Sequence, residues 1–218
     1  MSGDPAARIV KYPTDAEVRA AFEAYVTGVG KVAHAWNYLH ERLGALFAAV
    51  LNTPDRNVAA AVWYSPYVDR VQREMLRAAI EAMAEYRSQS LPNDARDDLK
   101  FVLKEIDAVG YKRDDAIHAP ASLYTDYTGS EMAASFLSGH RRAKNLAGKQ
   151  LLIEFDWCER YSEELSRFVA KATEALLFGG VQWPSRPRKP DRKPKRSLQG
   201  PERAPASLPR LQRRQIND

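Results

Sequence analysis

The sequence predicts an all-α protein, an up-and-down four-helix bundle followed by a disordered basic C-terminal tail. Three observations carry this. Ten apolar residues between Val18 and Val50 recur at alternating spacings of four and three, the seam of a long helix packed lengthwise on others. Three more helical stretches follow, joined by mostly short turns, without a nucleotide-binding strand pattern, a glycine-rich phosphate loop or an internal repeat. Composition then changes at Gln182, beyond which lie 7 of the 13 prolines and 11 of the 33 basic residues. The expected division is a flexible N-terminus over 1–13, a helical bundle over 14–181 and a proline-rich basic tail over 182–218.

The first helix has a capping box in "TDAE", Thr14 to Glu17. Its seam is Val18, Phe22, Tyr25, Val29, Val32, Trp36, Leu39, Leu43, Leu46 and Val50. Gly28 and Gly30 weaken it locally, and "NTPD" at Asn52 to Asp55 ends it. "RNVAAAVWYSP" reads as a short helix or turn. Pro66 opens a second long helix with Val68, Val71, Met75, Ile80 or Ala79, and Met83 on one face. "SLPND" at Ser90 to Asp94 breaks it, and Asp94 caps a third. That helix carries Leu99, Val102, Leu103, Ile106 and Val109, passes Gly110 and reaches His118. Pro120 stops it, because the residue before proline avoids helical geometry. Residues 121–143 lack a clean period and read as a long connection. The last helix is expected from Asn145 to Phe178, with Leu152, Phe155, Tyr161 or Cys158, Leu165, Phe168, Ala172 and Leu176 inward, closed by Gly179 and Gly180. Beyond it, too little apolar surface remains to fold.

Bulk properties narrow the function. A chain of 218 residues suits one domain. The single Cys158 excludes an internal disulfide and a four-cysteine zinc site, and favours a reducing compartment. "MSGDPAARIVKYP" has no apolar signal-peptide core, and the longest apolar run, Leu43 to Leu51, falls far short of the ~20 residues of a membrane helix. A cytoplasmic protein without a membrane segment is expected. The net charge of +5 is an uneven average. The tail from Gln182 is +8, whereas residues 1–181 hold 22 basic and 25 acidic side chains, a net −3. The pI therefore does not argue that the folded part binds nucleic acid.

The most chemically suggestive stretch is "GYKRDDAIHAP", Gly110 to Pro120. Asp114 and His118 are four apart and share a helix face. His118 also sits in a last turn, where the dipole favours the imidazolium, so it suits acid–base work near neutral pH. Arg113 supplies a permanently charged fork for a phosphate. Together these are the minimum kit for breaking a phosphodiester. Arg113 and His118 are five apart, however, which leaves them ~140° apart around a straight helix. Convergence then needs a distorted helix or a second copy of the chain.

An Arg, four residues and a His near the end of a late bundle helix resembles the motif of the HEPN superfamily. "WNYLHERLGALF", "REMLRAAI" and "GKQLLIEFDWCERYSEEL" resemble an uncharacterised bacterial branch of it. The resemblance spans about residues 14–178 as architecture, a HEPN-like helical bundle. It implies a homodimeric RNA-binding protein and, as in many members, a metal-independent endoribonuclease of the toxin–antitoxin kind. Arg113 would hold the scissile phosphate, His118 would move the proton and Asp114 would orient His118. Asp114 replaces the usual Asn, and Asp114 with Asp115 adds negative charge facing RNA. No cofactor is implied; an antitoxin or another protein partner is. Other members are inactive scaffolds, so the alternative is an interaction protein whose Arg113–Asp114–His118 cluster is a salt-bridged helix end.

Weaker candidates complete the set. "HRRAK" offers Arg141, Arg142 and Lys144 to RNA phosphates, and Tyr124 and Tyr127 offer rings to unpaired bases; a solvated loop and tyrosines closing onto the bundle are the plainer explanations. His34 and His40 are six apart, which is not the spacing of a helical metal pair, and read as packing or surface residues. No Glu-x-x-His pair of a di-iron bundle occurs, so no metal is expected. Cys158 reads as a small core residue. "RPRKPDRKPKR", Arg186 to Arg196, suits a polyanion, though such runs more often only solubilise.

Overall fold

The computed structural model describes residues 13–53, 55–86, 94–126, 129–135, 139–178 and 180–192. The expected flexible N-terminus lies outside them except for Pro13, as do Tyr127 and residues 193–218 of the tail. Helix α1 spans Asp15–Leu51 and starts in the expected capping box: Glu17 N–H donates to Thr14 Oγ1 at 3.3 Å, and Thr14 N–H donates to Glu17 Oε2 at 2.8 Å. It stops at Asn52, whose left-handed φ of 51° suits asparagine. The seam is buried from Val32 to Val50 but not before, where Phe22 is exposed. In the turns before Val32, Tyr25 and Val29 are only half-buried against the core.

Helix α6, Leu151–Phe178, lies along α1 in the most extensive helix pairing of the molecule. Helix α4, Ala95–His118, packs on α6, on α1 and on α3, Asp69–Tyr86, and α3 also packs on α1. The short α2, Arg56–Tyr64, drives a fully buried Trp63 against α1. There Gly44 makes room, since a Cβ on it would lie 2.9 Å from the Trp63 ring. A last short helix, α5, Arg141–Asn145, rests on α4. One apolar core joins these helices.

Several expectations are corrected. The chain is mostly helical, as expected, but it also holds a small two-strand sheet. Within the expected connection, β1, Ala121–Asp126, pairs antiparallel with β2, Gly129–Ala134, with Leu123 opposite Met132. Pro120 forces its neighbour out of helical geometry, and the hairpin then rests on α1 and α6. Helix α3 begins at Asp69 rather than Pro66. Its buried face is Gln72, Arg73, Leu76, Ile80 and Met83, whereas Val68 and Val71 are exposed. Asp94 occupies the N-cap of α4, but its side chain makes no capping bond. Helix α6 starts at Leu151, which is buried, and Leu152 faces out; Gly148, at φ 68°, separates it from α5.

The tail is the largest correction. Disorder is expected from residue 182, yet 182–192 lie against the bundle. The Trp183 ring meets Phe168 edge-on at 6.2 Å, and its Nε1–H donates to Asp98 Oδ2 at 3.0 Å. The side chains that make these contacts repeat at three-residue intervals, a period that matches neither a helix face nor a strand face.

Candidate functional site

A cleft of about 540 Å³ opens between α3 and α4, with the Trp36 ring among its lining residues. Trp36 is nearly fully buried at the point where α1 meets α3 and α4. Its Nε1–H donates to Asp69 Oδ2 at 2.9 Å. The Arg113 guanidinium lies 5.1 Å over the Trp36 ring, and that of Arg73 5.4 Å away, both within cation–π range. Gly110 lets α4 come this close, since a Cβ there would stand 2.9 Å from the indole edge.

Arg113 and His118 line the same cleft within one chain, so the angular separation along α4 does not require a second copy. Their engagement differs. Arg113 Nη2 donates to Asp69 Oδ2 at 3.0 Å and Nη1 to Asp114 Oδ1 at 2.8 Å, while its Nε is buried with no hydrogen-bond partner among the described residues. His118 is exposed at the end of α4. Asp114 does not orient it: that carboxylate faces Arg113 and, at 3.5 Å, Arg142.

Asp115 does not face the cleft as an extra repulsive charge. It is buried, and Asn145 Nδ2 donates to both of its oxygens at 3.1 Å, with Arg142 at 3.8 Å. Asp115 thus fastens α5 onto α4. Of the remaining candidates, Arg142 reaches the cleft edge through Asp114. Arg141 and Lys144 are exposed on α5, Tyr124 is exposed on β1 away from the cleft, and Tyr127 lies outside the described residues. The aromatic rings at the cleft rim are instead Tyr67 and Tyr111, both largely exposed.

From the cleft lining inward runs a polar chain that the sequence does not announce. Arg73 Nε donates to Asp107 Oδ1 at 2.7 Å and Arg77 Nη2 to Asp107 Oδ2 at 2.9 Å. Arg73 Nη1 lies 3.2 Å from His40 Nε2, and His40 Nδ1 lies 3.3 Å from Gln72 Oε1. Arginine can only donate and the glutamine oxygen only accept, so the network assigns His40 as the neutral imidazole with its proton on Nδ1. Burial, with Arg73 beside it, lowers the His40 pKa to about 4 even though Asp69 pulls the other way. Burial pushes the Asp69 carboxyl up, but the Trp36 N–H and the neighbouring cations outweigh it and hold it below its ordinary value. These residues come from three helices, and the pairs that join one helix to another are about thirty positions apart, so no local motif links them. In the sequence only Trp36, as part of the α1 seam, and His40, read as a packing or surface residue, stood out.

The cleft lining holds Arg70, Arg73, Arg77 and Arg113 against Asp69, Glu74, Asp107 and Asp114. Its cations are therefore matched by carboxylates, and an anionic ligand would have to exchange with them. Cys158 is buried, which pushes its thiol up to about 12 and suits a packing residue rather than a nucleophile. Among the described residues no group of three or more His, Cys, Asp or Glu is placed to hold a metal, and no helix is long and apolar enough to cross a membrane. No family model, no curated protein and no solved structure matches the chain.

Proposed function

We propose that the chain is a HEPN-like RNA-binding protein that takes single-stranded RNA at the α3–α4 cleft and cleaves it without a metal. The architecture proposed with it is an up-and-down four-helix bundle of α1, α3, α4 and α6, carrying α2, α5 and the hairpin as additions. The observation that supports the reading is the placement of Arg113 and His118 on one cleft. Arg113 would exchange Asp69 for a phosphate oxygen. The ribose 2′-oxygen would attack phosphorus and the 5′-oxygen would leave, giving a cyclic phosphate. His118 would take up or deliver one proton, and a second copy in a homodimer would supply the other group.

A second reading has its own support. Both terminal nitrogens of Arg113 are held by carboxylates over Trp36, as in a salt bridge that only locks α4 to α1 and α3. The chain is then a non-enzymatic interaction protein. His118→Ala separates the two, because this exposed side chain has little structural role. Under the first reading the wild type cleaves single-stranded RNA in EDTA to cyclic-phosphate ends, and His118→Ala abolishes this at an unchanged melting temperature. Under the second, the wild type leaves varied single-stranded and structured RNAs intact. Arg113→Ala then lowers only stability, by the loss of a partly buried charge pair.

A further inference from the structure

The C-terminal run is built like a ligand, and the groove beneath it like a receptor. Past Gly180, residues 182–192 are neither helix nor strand. Every third side chain turns to the bundle. Trp183 and Arg186 meet the two oxygens of Asp98, at 3.0 and 2.5 Å. Lys189 Nζ lies 2.7 Å from Glu105 Oε2, and Arg192 Nε lies 3.2 Å from Glu154 Oε1. Pro184, Pro187 and Pro190 repeat at the same interval. Three residues per turn is the repeat of the polyproline helix, whose φ each proline presets.

The groove side has matching chemistry. Asp98 and Glu105 lie seven apart on one face of α4, with Phe101 between them, and Arg186 sits 4.9 Å over the Phe101 ring. From α6, Trp157 Nε1–H donates to the Pro190 carbonyl at 2.9 Å while Arg192 sits 4.5 Å over its ring. Arg160 Nη2 donates to the Asp191 carbonyl at 3.0 Å, and the Tyr161 hydroxyl donates to Glu105 at 2.9 Å, which orients that carboxylate. Aromatic walls, acidic residues and an indole N–H aimed at a ligand carbonyl are how proline-rich basic segments are read. The burial is one-sided. The side chains of Asp98, Glu105 and Glu154 are 12%, 10% and 11% exposed, whereas those of Arg186, Lys189 and Arg192 are 48%, 58% and 46% exposed. The acids are covered where residues 183–192 lie on them, and the cations stay half open to solvent.

We propose that the α4–α6 groove is a recognition site for proline-rich basic segments with a cation at every third residue, and that residues 183–192 are its exchangeable ligand, bound in cis. The site is separate from the α3–α4 cleft and does not depend on the activity proposed there.

The test uses the full chain and a fluorescent peptide of residues 182–192. Wild type binds the peptide weakly, because its own residues 183–192, the strap, fill the groove. Arg186→Glu in the chain loosens the strap and tightens peptide binding at least tenfold, and added salt weakens that binding. Lys189→Glu with Arg192→Glu, two half-exposed changes, serves as an independent loosening variant with the same expected gain. Adding Asp98→Ala to either background removes the gain. A scrambled peptide of equal charge without the three-residue spacing binds at least tenfold more weakly. Equal binding by wild type and both loosened chains, or equal binding of the scrambled peptide, overturns the proposal.

Discussion

Trp36 is the residue on which the α3–α4 cleft is built. Its N–H fixes Asp69, its face carries Arg113, and its edge abuts Gly110. The apolar spacing of α1 is enough to mark Trp36 as buried. Nothing in the sequence marks Asp69 as its partner, because the pairing depends on how α1 and α3 cross. Gly110 reads from sequence as a weak point of α4, and an alanine there would gain about 1 kcal/mol of helix propensity. The structure reverses that sign. A Cβ 2.9 Å from a rigid indole forces the ring or the helix to move, and overpacking of this kind costs about 1–3 kcal/mol. Gly110→Ala should therefore lower the urea midpoint and weaken the seat of Arg113. A midpoint that rises would show that Trp36 yields without cost.

At the scale of elements, the long helices were legible where their apolar stripes were uninterrupted. Helix α4 is the clearest case, with Leu99, Val102, Leu103, Ile106 and Val109 all buried. Helix α3 misled because Arg73 and Gln72 occupy inward positions that polarity assigns outward; each is buried only because His40, Asp107 and the Trp63 carbonyl receive it. The strap was illegible for a related reason. Its contacts follow a three-residue period and consist of charge and aromatic faces, so a search for apolar periodicity finds nothing. Its role predicts a measurable loss on deletion. Ending the chain at Val181 strips Trp183 from Phe168 and leaves Asp98 and Glu105 without their cations. The expected loss is about 2–4 kcal/mol, or several degrees in the thermal midpoint for a chain of this size. Trp183→Ala should reproduce part of it. An unchanged midpoint would mean that the strap adds nothing to the fold.

For the whole molecule, the polar chain running inward from the cleft lining predicts how stability responds to pH. His40 is held as the neutral imidazole between Gln72 and Arg73, with its pKa lowered from 6.5 to about 4. Between those values the unfolded chain binds a proton at His40 and the native protein does not, so protons favour unfolding. Stability from this group is fully present above 6.5 and falls as pH drops toward about 4, by on the order of 3 kcal/mol in all. Asp69 acts in a different window. Its carboxyl is held below the ordinary value of 3.8, so its contribution is lost only as pH falls past that value. A first decline near pH 6 to 4 should therefore precede a second, more acid one. His40→Gln keeps a polar side chain in place but cannot titrate. It should cost some stability at pH 7.5 and flatten the first decline while leaving the second. Chemical denaturation at pH 7.5, 6, 5 and 4 measures both slopes. A decline between 6.5 and 4 that keeps its full size in His40→Gln would assign the acid sensitivity to groups outside this network.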